Sequence, residues 1–474
     1  MKTHRHALLL AALAAAVLLA VPARAPAAPG AEVSIMDDQL LLGRSQSFVD
    51  RQMQIFNSLG IDRLRVSAFW DGNAPSPNSS RKPKGFDGAN PNDARYRWGA
   101  LDRVVESAHA HGIKLMASIT TPAPRWATTG HRKGGLWRPS AQEFGAFAEA
   151  VARRYGAVVD QYGISNEPNQ GGWLQPQSTR AGLVAPDLYR AMVRAAYPRI
   201  KAADHTSTAL IGNLASSGSN ARGRRAPIRP LTFLRAMACV DSHYRPIRGG
   251  SCRGFRPVPA DAVAHHPYRF FGPPGGHSPN RNDAAIGDSG RLLRVLDRLV
   301  RAGRIRPSHG RSLPVYYTEF GYQTNPPDPF AGIPLGRQSR YLQQAAYIAW
   351  RTPRVRGINQ FRLTDGRLSG RGLSAFREFQ SGLLFSNRRP KPAFRSFPHP
   401  FVIAGSRFWG QVRPGGAHSV AIQHRSGGGA FRTVRRVRTD RLGYFSVRLG
   451  RRRGQWHYVY TDGPRGTSDT LTIH

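Results

Sequence analysis

A chain of 474 residues with 69 Lys and Arg against 28 Asp and Glu has a formal net charge of +41. That length allows one large core plus an accessory domain. The charge would attract anionic partners such as acidic polysaccharide, cell-wall polyanion, anionic membrane or nucleic acid. Nearly all of the positive charge is Arg, and it is spread along the chain. The simpler reading is therefore compositional, with Arg replacing Lys on an ordinary solvated surface. Only "RVRTDR" and "RLGRRRGQW" near the end are locally dense. None of the usual base-stacking or groove-reading motifs accompanies the charge, which argues against a dedicated nucleic-acid reader.

The chain opens with Lys2 and Arg5, then an apolar run from Ala7 to Val21, then the small residues "PARAPAAPG". This is the pattern of an export signal. Pro26 hinders cleavage after Ala25, so the expected cut follows Ala27. The run is short for a membrane span, and an uncleaved anchor is the other reading. The mature protein is expected to be secreted or associated with the cell wall. In that oxidising setting Cys239 and Cys252 can form a disulfide. No Cys/His cluster has zinc-site spacing, and no metal or organic cofactor is expected.

Two textures then alternate. "SFVDRQMQIFNSLG" has helical apolar spacing and ends on Gly60, and "IDRLRVSAFW" follows as a short strand. "WGALDRVVESAHAHG" ends on Gly112 and leads to "IKLMASITTP". In both, glycine falls where a helix needs a left-handed terminating residue. Five further helix–strand units end in "VVDQYGISNEP", "TALIGNLAS", "DAVAHHPY", "LPVYYTEFGYQT" and "RGINQFRLTD". With "EVSIMDD" as the first strand, the total is eight. Strands alternating with amphipathic helices imply a parallel sheet. Eight units predict an α/β fold, a (β/α)8 TIM barrel over residues 28–398 after a 1–27 signal peptide. The competing doubly wound sheet would usually carry a Gly-rich phosphate loop after its first strand, and none is present. Beyond Pro398 short alternating segments are broken by Gly-rich turns, so residues 399–474 read as a small β-sandwich-like domain, either a spacer or a carbohydrate-binding module.

Barrel enzymes carry their chemistry at the C-terminal ends of the strands. Two such ends stand out, Asn166-Glu167-Pro168 on the fourth and Glu319 in "VYYTEFG" on the seventh. A pair of carboxylates is what glycosidic bond cleavage requires, one to protonate the leaving oxygen and one to attack the sugar or activate water.

These motifs, in this order, resemble the clan A glycoside hydrolases, the retaining (β/α)8 group that includes the cellulase-like family five and the β-xylosidase-like family thirty-nine. The resemblance covers most of residues 33–398. It implies Glu167 as acid/base, Asn166 as the partner of the sugar 2-hydroxyl and Glu319 as nucleophile. It further implies Arg65 beside the nucleophile and His266 and Tyr268 as the strand-six His-x-Tyr. Lys391-Pro392-Ala393 resembles the segment that often closes such barrels. One departure is Phe361 at strand eight, where a Trp commonly lies beneath the sugar.

Other candidates rest on residue type alone. Trp126 and Trp173 could stack on sugar rings or simply pack, and Trp70 is a weaker case of the same kind. Asn213 and Asp365 could hydrogen-bond sugar hydroxyls. The expected function is a monomeric, secreted retaining glycosidase acting on a poly- or oligosaccharide, anionic or wall-associated glycans included. The alternative is a non-catalytic carbohydrate or cell-wall binding protein on the same barrel.

Overall fold

The structure is a computed structural model that describes residues 30–376, 378–460 and 466–474. The expected signal segment 1–27 and its cut after Ala27 lie outside the described residues. The barrel strands are β1 (Glu32–Met36), β2 (Arg63–Phe69), β3 (Lys114–Thr120), β4 (Val159–Ile164), β5 (Thr208–Ala215), β6 (Ala262–His266), β7 (Val315–Tyr317) and β8 (Val355–Phe361). Every neighbouring pair is parallel, and β1 closes the ring by pairing with both β2 and β8. The expected (β/α)8 barrel is therefore present.

Strand β2 shows how the sequence builds this ring. In "RLRVSAF" the residues Leu64, Val66 and Ala68 are fully buried in the main core. Side chains alternate along a strand, so Arg63, Arg65 and Ser67 share the other face. Both faces of a closed parallel sheet are covered, which is why polar residues here must find partners inside. Arg63 does so near the barrel floor, pairing with Glu32 at 2.9 Å and with Asp160.

The outer layer consists mainly of α1 (Gln46–Ser58), α2 (Gly99–Ala110), α3 (Ala141–Tyr155), α4 (Ala185–Ala203), α5 (Pro230–Met237), α6 (Ser289–Arg301) and α7 (Leu335–Arg351). In α6 the buried Leu292, Val295, Leu296 and Leu299 recur at three- and four-residue spacing, the stripe of a helix with one face on the core. Gly60 and Gly112 follow α1 and α2 with φ of 67° and 70°, a conformation that any Cβ strains. Gly60 is doubly constrained, because a Cβ there would stand 2.5 Å from Cβ of Arg413. The disulfide Cys239–Cys252 is formed and ties the end of α5 to the loop that follows it. No helix among the described residues is long and apolar enough to cross a membrane.

The C-terminal region contains β9 (Phe401–Ala404), β10 (Arg407–Gln411), β11 (Ser419–Arg425), β12 (Arg432–Arg438), β13 (Tyr444–Arg448), β14 (Gly454–Tyr460) and β15 (Leu471–Ile473). One antiparallel sheet runs β9-β10-β13; the other runs β12-β11-β14, with β15 paired to β14. Phe401, Phe408 and Phe445 from the first share one core with Val420, Ile422, Trp456 and Tyr458 from the second, as in a sandwich. Trp409 and Tyr444 pack on Tyr347 and Trp350 of α7, and the Tyr444 hydroxyl donates to the Ala31 carbonyl at 2.6 Å. Ala31 precedes β1, so this module is anchored at the end of the barrel opposite the mouth.

Candidate active site

At the C-terminal end of β4 the chain leaves the sheet by an unusual path. Ser165 and Glu167 have φ of 66° and 33°, and Asn213 at the end of β5 has φ of 48°. Non-glycine residues held in this region cost of order 1–3 kcal/mol each and persist only where surrounding contacts fix them. Those contacts are present. The Glu167 amide donates to the Asn213 carbonyl at 3.0 Å, and the Asn213 side chain donates to the Ser165 carbonyl at 2.8 Å. The same Asn213 amide oxygen accepts from Thr318 Oγ1 at 3.0 Å. A register shift between Gly212 and Leu214 turns Asn213 into this position. Asn213 is thus a fully buried brace between the two carboxylate-bearing loops. The expectation that it reaches a sugar hydroxyl is corrected.

Glu167 and Glu319 face each other across the mouth, together with His266; one donor atom from each of the three lies within 4.8 Å of the others. Arg65 Nη1 donates to Glu319 Oε1 at 2.5 Å, and Tyr268 donates its hydroxyl to Glu319 Oε2 at 3.1 Å. The other arm of Arg65, Nη2, donates to Asn166 Oδ1 at 2.6 Å and Ser118 Oγ at 3.2 Å. One buried guanidinium therefore fixes the Glu319 carboxylate and the residue beside Glu167 at once, a use of its rigid fork that Lys could not match. His266 Nδ1 lies 3.0 Å from Glu167 Oε1 and 3.5 Å from Glu319 Oε2. Burial holds its pKa down to about 3, so the ring is neutral. With carboxylate oxygens as its neighbours, Nδ1 carries the hydrogen and donates.

The two carboxyl groups have different surroundings. Burial pushes Glu167 up to about 7, with only the charge of Arg65 opposing it. Glu319 shares a direct ion pair with Arg65 at 2.5 Å. The trio Glu167, His266 and Glu319 could in principle hold a metal ion. Such an ion would have to compete with Arg65 and Tyr268 for both oxygens of Glu319, so the set fits paired acid chemistry better.

The cleft around this pair has a volume of about 430 Å³. Trp173 lines one side and is stacked on Phe69, with ring centroids 6.5 Å apart. Phe270, Phe361 and Phe379 also line it, and Phe270 is stacked on Tyr268 at 5.4 Å. Phe361 thus occupies the cleft at the end of β8, where the resemblance led one to look for Trp.

Other sequence candidates lie elsewhere. Trp126 is buried under the β2 and β3 loops, donating its indole N–H to the Pro75 carbonyl at 3.0 Å and packing edge-on against Trp70. Trp70 is 1 % exposed and stacked on Phe147. Neither ring lines the cleft, which corrects the reading of Trp126 as a sugar platform. Asp365 is buried, its Oδ1 paired to buried Lys391 at 2.7 Å and accepting from the Gly382 amide. Lys391, in the closing segment, also donates to Thr324 Oγ1 at 2.8 Å. Of the adjacent histidines, His265 bonds the Ala284 carbonyl behind the sheet and only His266 faces the mouth. That split is the pleat of β6.

Several cleft residues escaped the sequence reading: Asp38 and Gln39 after β1, Gln170, Phe270, and Arg362 and Phe379 after β8. Asp38 offered a signal, a carboxylate at the C-terminal end of a predicted strand. Burial raises its pKa to about 6 while its Oδ1 accepts from the Ser67 amide at 3.1 Å.

The Arg65–Glu319 pair carries a stability prediction. Removing one member of a buried, hydrogen-bonded ion pair costs about 3–5 kcal/mol, because the other charge is left unpaired. Arg65→Met should lower the unfolding free energy by about that amount in denaturant titrations. Arg65→Met combined with Glu319→Gln should recover much of the loss; strictly additive losses would contradict the coupling.

The fold and these strand ends define a closed (β/α)8 barrel with two carboxylates at its mouth. Among solved structures, a family 39 glycoside hydrolase from the gut symbiont Bacteroides cellulosilyticus WH2 matches with a TM-score of 0.51 and 14 % identity, over 88 % of this chain and 81 % of that one. GH5_18 from Streptomyces cattleya in complex with GlcNAc matches with a TM-score of 0.48 and 16 % identity, over 78 % and 79 %. Bacteroides uniformis beta-glucuronidase 2 matches with a TM-score of 0.47 and 14 % identity, over 94 % of this chain but only 46 % of its own length. What this chain shares with the family 39 structure is the fold. No protein-family model matches the sequence, and comparison with curated proteins gave no match.

Proposed function

We propose that this chain is a secreted retaining glycoside hydrolase that cleaves β-linked O-glycosidic bonds of a poly- or oligosaccharide. The observation that carries this reading is the pair Glu167 and Glu319, with carboxylate oxygens within 4.8 Å of each other. Retaining enzymes hold their carboxyl groups about 5–5.5 Å apart, whereas inverting enzymes need about 6.5–9.5 Å to admit a water. Export is supported by the terminal apolar segment and by the disulfide, which is a feature of oxidising compartments.

In the first step Glu319 attacks the anomeric carbon. The bond to the leaving oxygen breaks with its electron pair going to that oxygen, and Glu167 supplies the proton. In the second step ionised Glu167 takes a proton from water, and the resulting hydroxide attacks the anomeric carbon and releases Glu319. Arg65 and Tyr268 hold the nucleophile oriented. Burial keeps Glu167 protonated until its proton is needed. His266, neutral, donates to Glu167 and steadies it without adding charge. Asn166, held by Arg65, is positioned to meet the sugar 2-hydroxyl, and Trp173 and Phe361 offer apolar faces to the rings.

The test is the anomeric configuration of the first product, followed by proton NMR before mutarotation. Retention is expected. Initial release of the opposite anomer would overturn the double-displacement reading, and absence of turnover on any aryl glycoside would favour a binding protein.

A further inference from the structure

A second cavity, of about 460 Å³, adjoins the cleft and shares Gln39 and Arg362 with it. Its other cationic lining residues are Arg44, Arg367 and Arg388. Two carboxylates also line it. Asp365 is already neutralised by Lys391 at 2.7 Å, and Arg362 is paired with buried Asp37 at 3.5 Å, which leaves Glu378 against Arg44, Arg367 and Arg388. Among the described residues, Arg44, Arg367 and Arg388 form no ion pair with a carboxylate.

An Arg-rich chain produces basic patches by composition alone, so the organisation of the groups matters more than their number. Arg44 and Arg388 both stack on the Phe48 ring, at 5.5 and 5.0 Å from its centroid. Arg388 is tied further to Gln52 Oε1 at 3.0 Å. Arg362, 5 % exposed, donates through Nε to the Thr364 carbonyl at 3.1 Å and through Nη2 to Gln39 Oε1 at 2.6 Å. No hydrogen bond among the described residues engages its Nη1. Pre-set guanidinium groups lose little freedom on binding and match carboxylate or sulfate oxygens bidentately.

We infer that this cavity is a subsite for an anionic sugar, and that the glycosidase proposed above acts on an acidic glycan, with a carboxylate or sulfate group beside the cleaved unit seated among Arg44, Arg362 and Arg388. The inference rests on that reading for the reaction but not for the binding. A glycan chain in the cleft reaches this cavity past Gln39 and Arg362, so the anionic group and the scissile bond belong to one ligand. The same chemistry would accept a free inorganic anion, and the test separates the two.

Binding is measured by calorimetry at 0.15 M NaCl on full-length Glu167→Gln protein, which prevents turnover. The probes are short oligomers of uronic acids in α and β linkage, a sulfated oligosaccharide, neutral oligomers of the same lengths, and inorganic sulfate. At least one acidic oligomer should bind ten times or more tightly than its neutral counterpart. Adding Arg44→Gln and Arg388→Gln should remove that advantage, while Arg44→Lys should retain most of it. Arg435→Gln with Arg436→Gln, on exposed β12 far from the mouth, should leave it within twofold. Equal binding of acidic and neutral oligomers, equal loss from both Arg pairs, or binding of sulfate alone would overturn the inference. Hydrolysis of neutral aryl glycosides by the wild-type protein reports on the proposed reaction separately, so either claim can fail without the other.

Discussion

Glu319→Gln should lower kcat by at least about 10⁴-fold on any substrate the wild-type protein turns over, in the range expected when a covalent nucleophile is removed. The reason is geometric as well as chemical. Arg65, Tyr268 and His266 all converge on the oxygens of this one carboxylate, and no other carboxylate shares that arrangement among the described residues. Glu319→Ala gives a sharper readout. With an activated leaving group and added azide, the small anion enters the vacated space and attacks the same face of the sugar that Glu319 would have attacked. The product should be the glycosyl azide of inverted configuration. Azide rescue of Glu167→Ala should instead give the retained product, because there the glycosyl–Glu319 ester forms first. Opposite outcomes would exchange the roles of the two residues.

The second large effect is pH-dependent and belongs to Glu167. Its folded-state pKa of about 7, against an ordinary value of 4.5, arises from burial. As general acid it must be protonated, so kcat/KM should fall above about pH 7, and Glu167→Gln should abolish that basic limb. The substitution should cost about 10²–10⁴-fold on poor leaving groups and far less on nitrophenolates, which need no proton. The stability consequence has a definite sign. A carboxyl whose pKa is raised in the folded state binds its proton more tightly there than in the unfolded chain. Its contribution is therefore fully present below about pH 4.5 and is lost as pH rises through about 7. Glu167→Gln carries no such charge to bury. It should match the wild type near pH 4 and be more stable near pH 8, by up to about 3 kcal/mol. A less active but more stable variant is the signature of a carboxyl held in an unfavourable place for function. Equal unfolding midpoints at both pH values would contradict this electrostatic account.

The ring of eight strands was legible because the strands are short and apolar on the outward face, and each strand after β1 follows a helix, two of which end on a recognisable signal at Gly60 and Gly112. Residues in the strands, or just past their ends, were also legible, since a strand fixes direction to within one pleat. Arg65, Asn166, Glu167, His266, Tyr268 and Glu319 meet at the mouth for that reason, and the pleat of β6 separates His266 from His265. What was not legible depends on loops and irregularities. Trp126 sits on a loop whose path carries its ring under Trp70 and away from the cleft. Asn213 lies at a register shift between Gly212 and Leu214 that no periodicity announces, and it braces two loops instead of facing solvent. Asp365 has its partner, Lys391, 26 residues onward, a pairing that only the folded chain reveals. Phe270, Phe379, Arg362 and Arg388 come from segments after β6 and β8, and Arg44 from the one after β1, whose lengths sequence gives but whose courses it does not.

In the proposed reaction Glu319 forms a covalent bond to the sugar. The most direct measurement is intact-protein and peptide mass spectrometry after incubation with 2-deoxy-2-fluoroglycosides bearing a dinitrophenolate leaving group, which slow both steps and trap the intermediate. The prediction is a single added glycosyl mass on the peptide containing Glu319, absent from Glu319→Gln and released by a transglycosylation acceptor with recovery of activity. Turnover of the parent glycosides with no adduct, or an adduct on Glu167 instead, would contradict it.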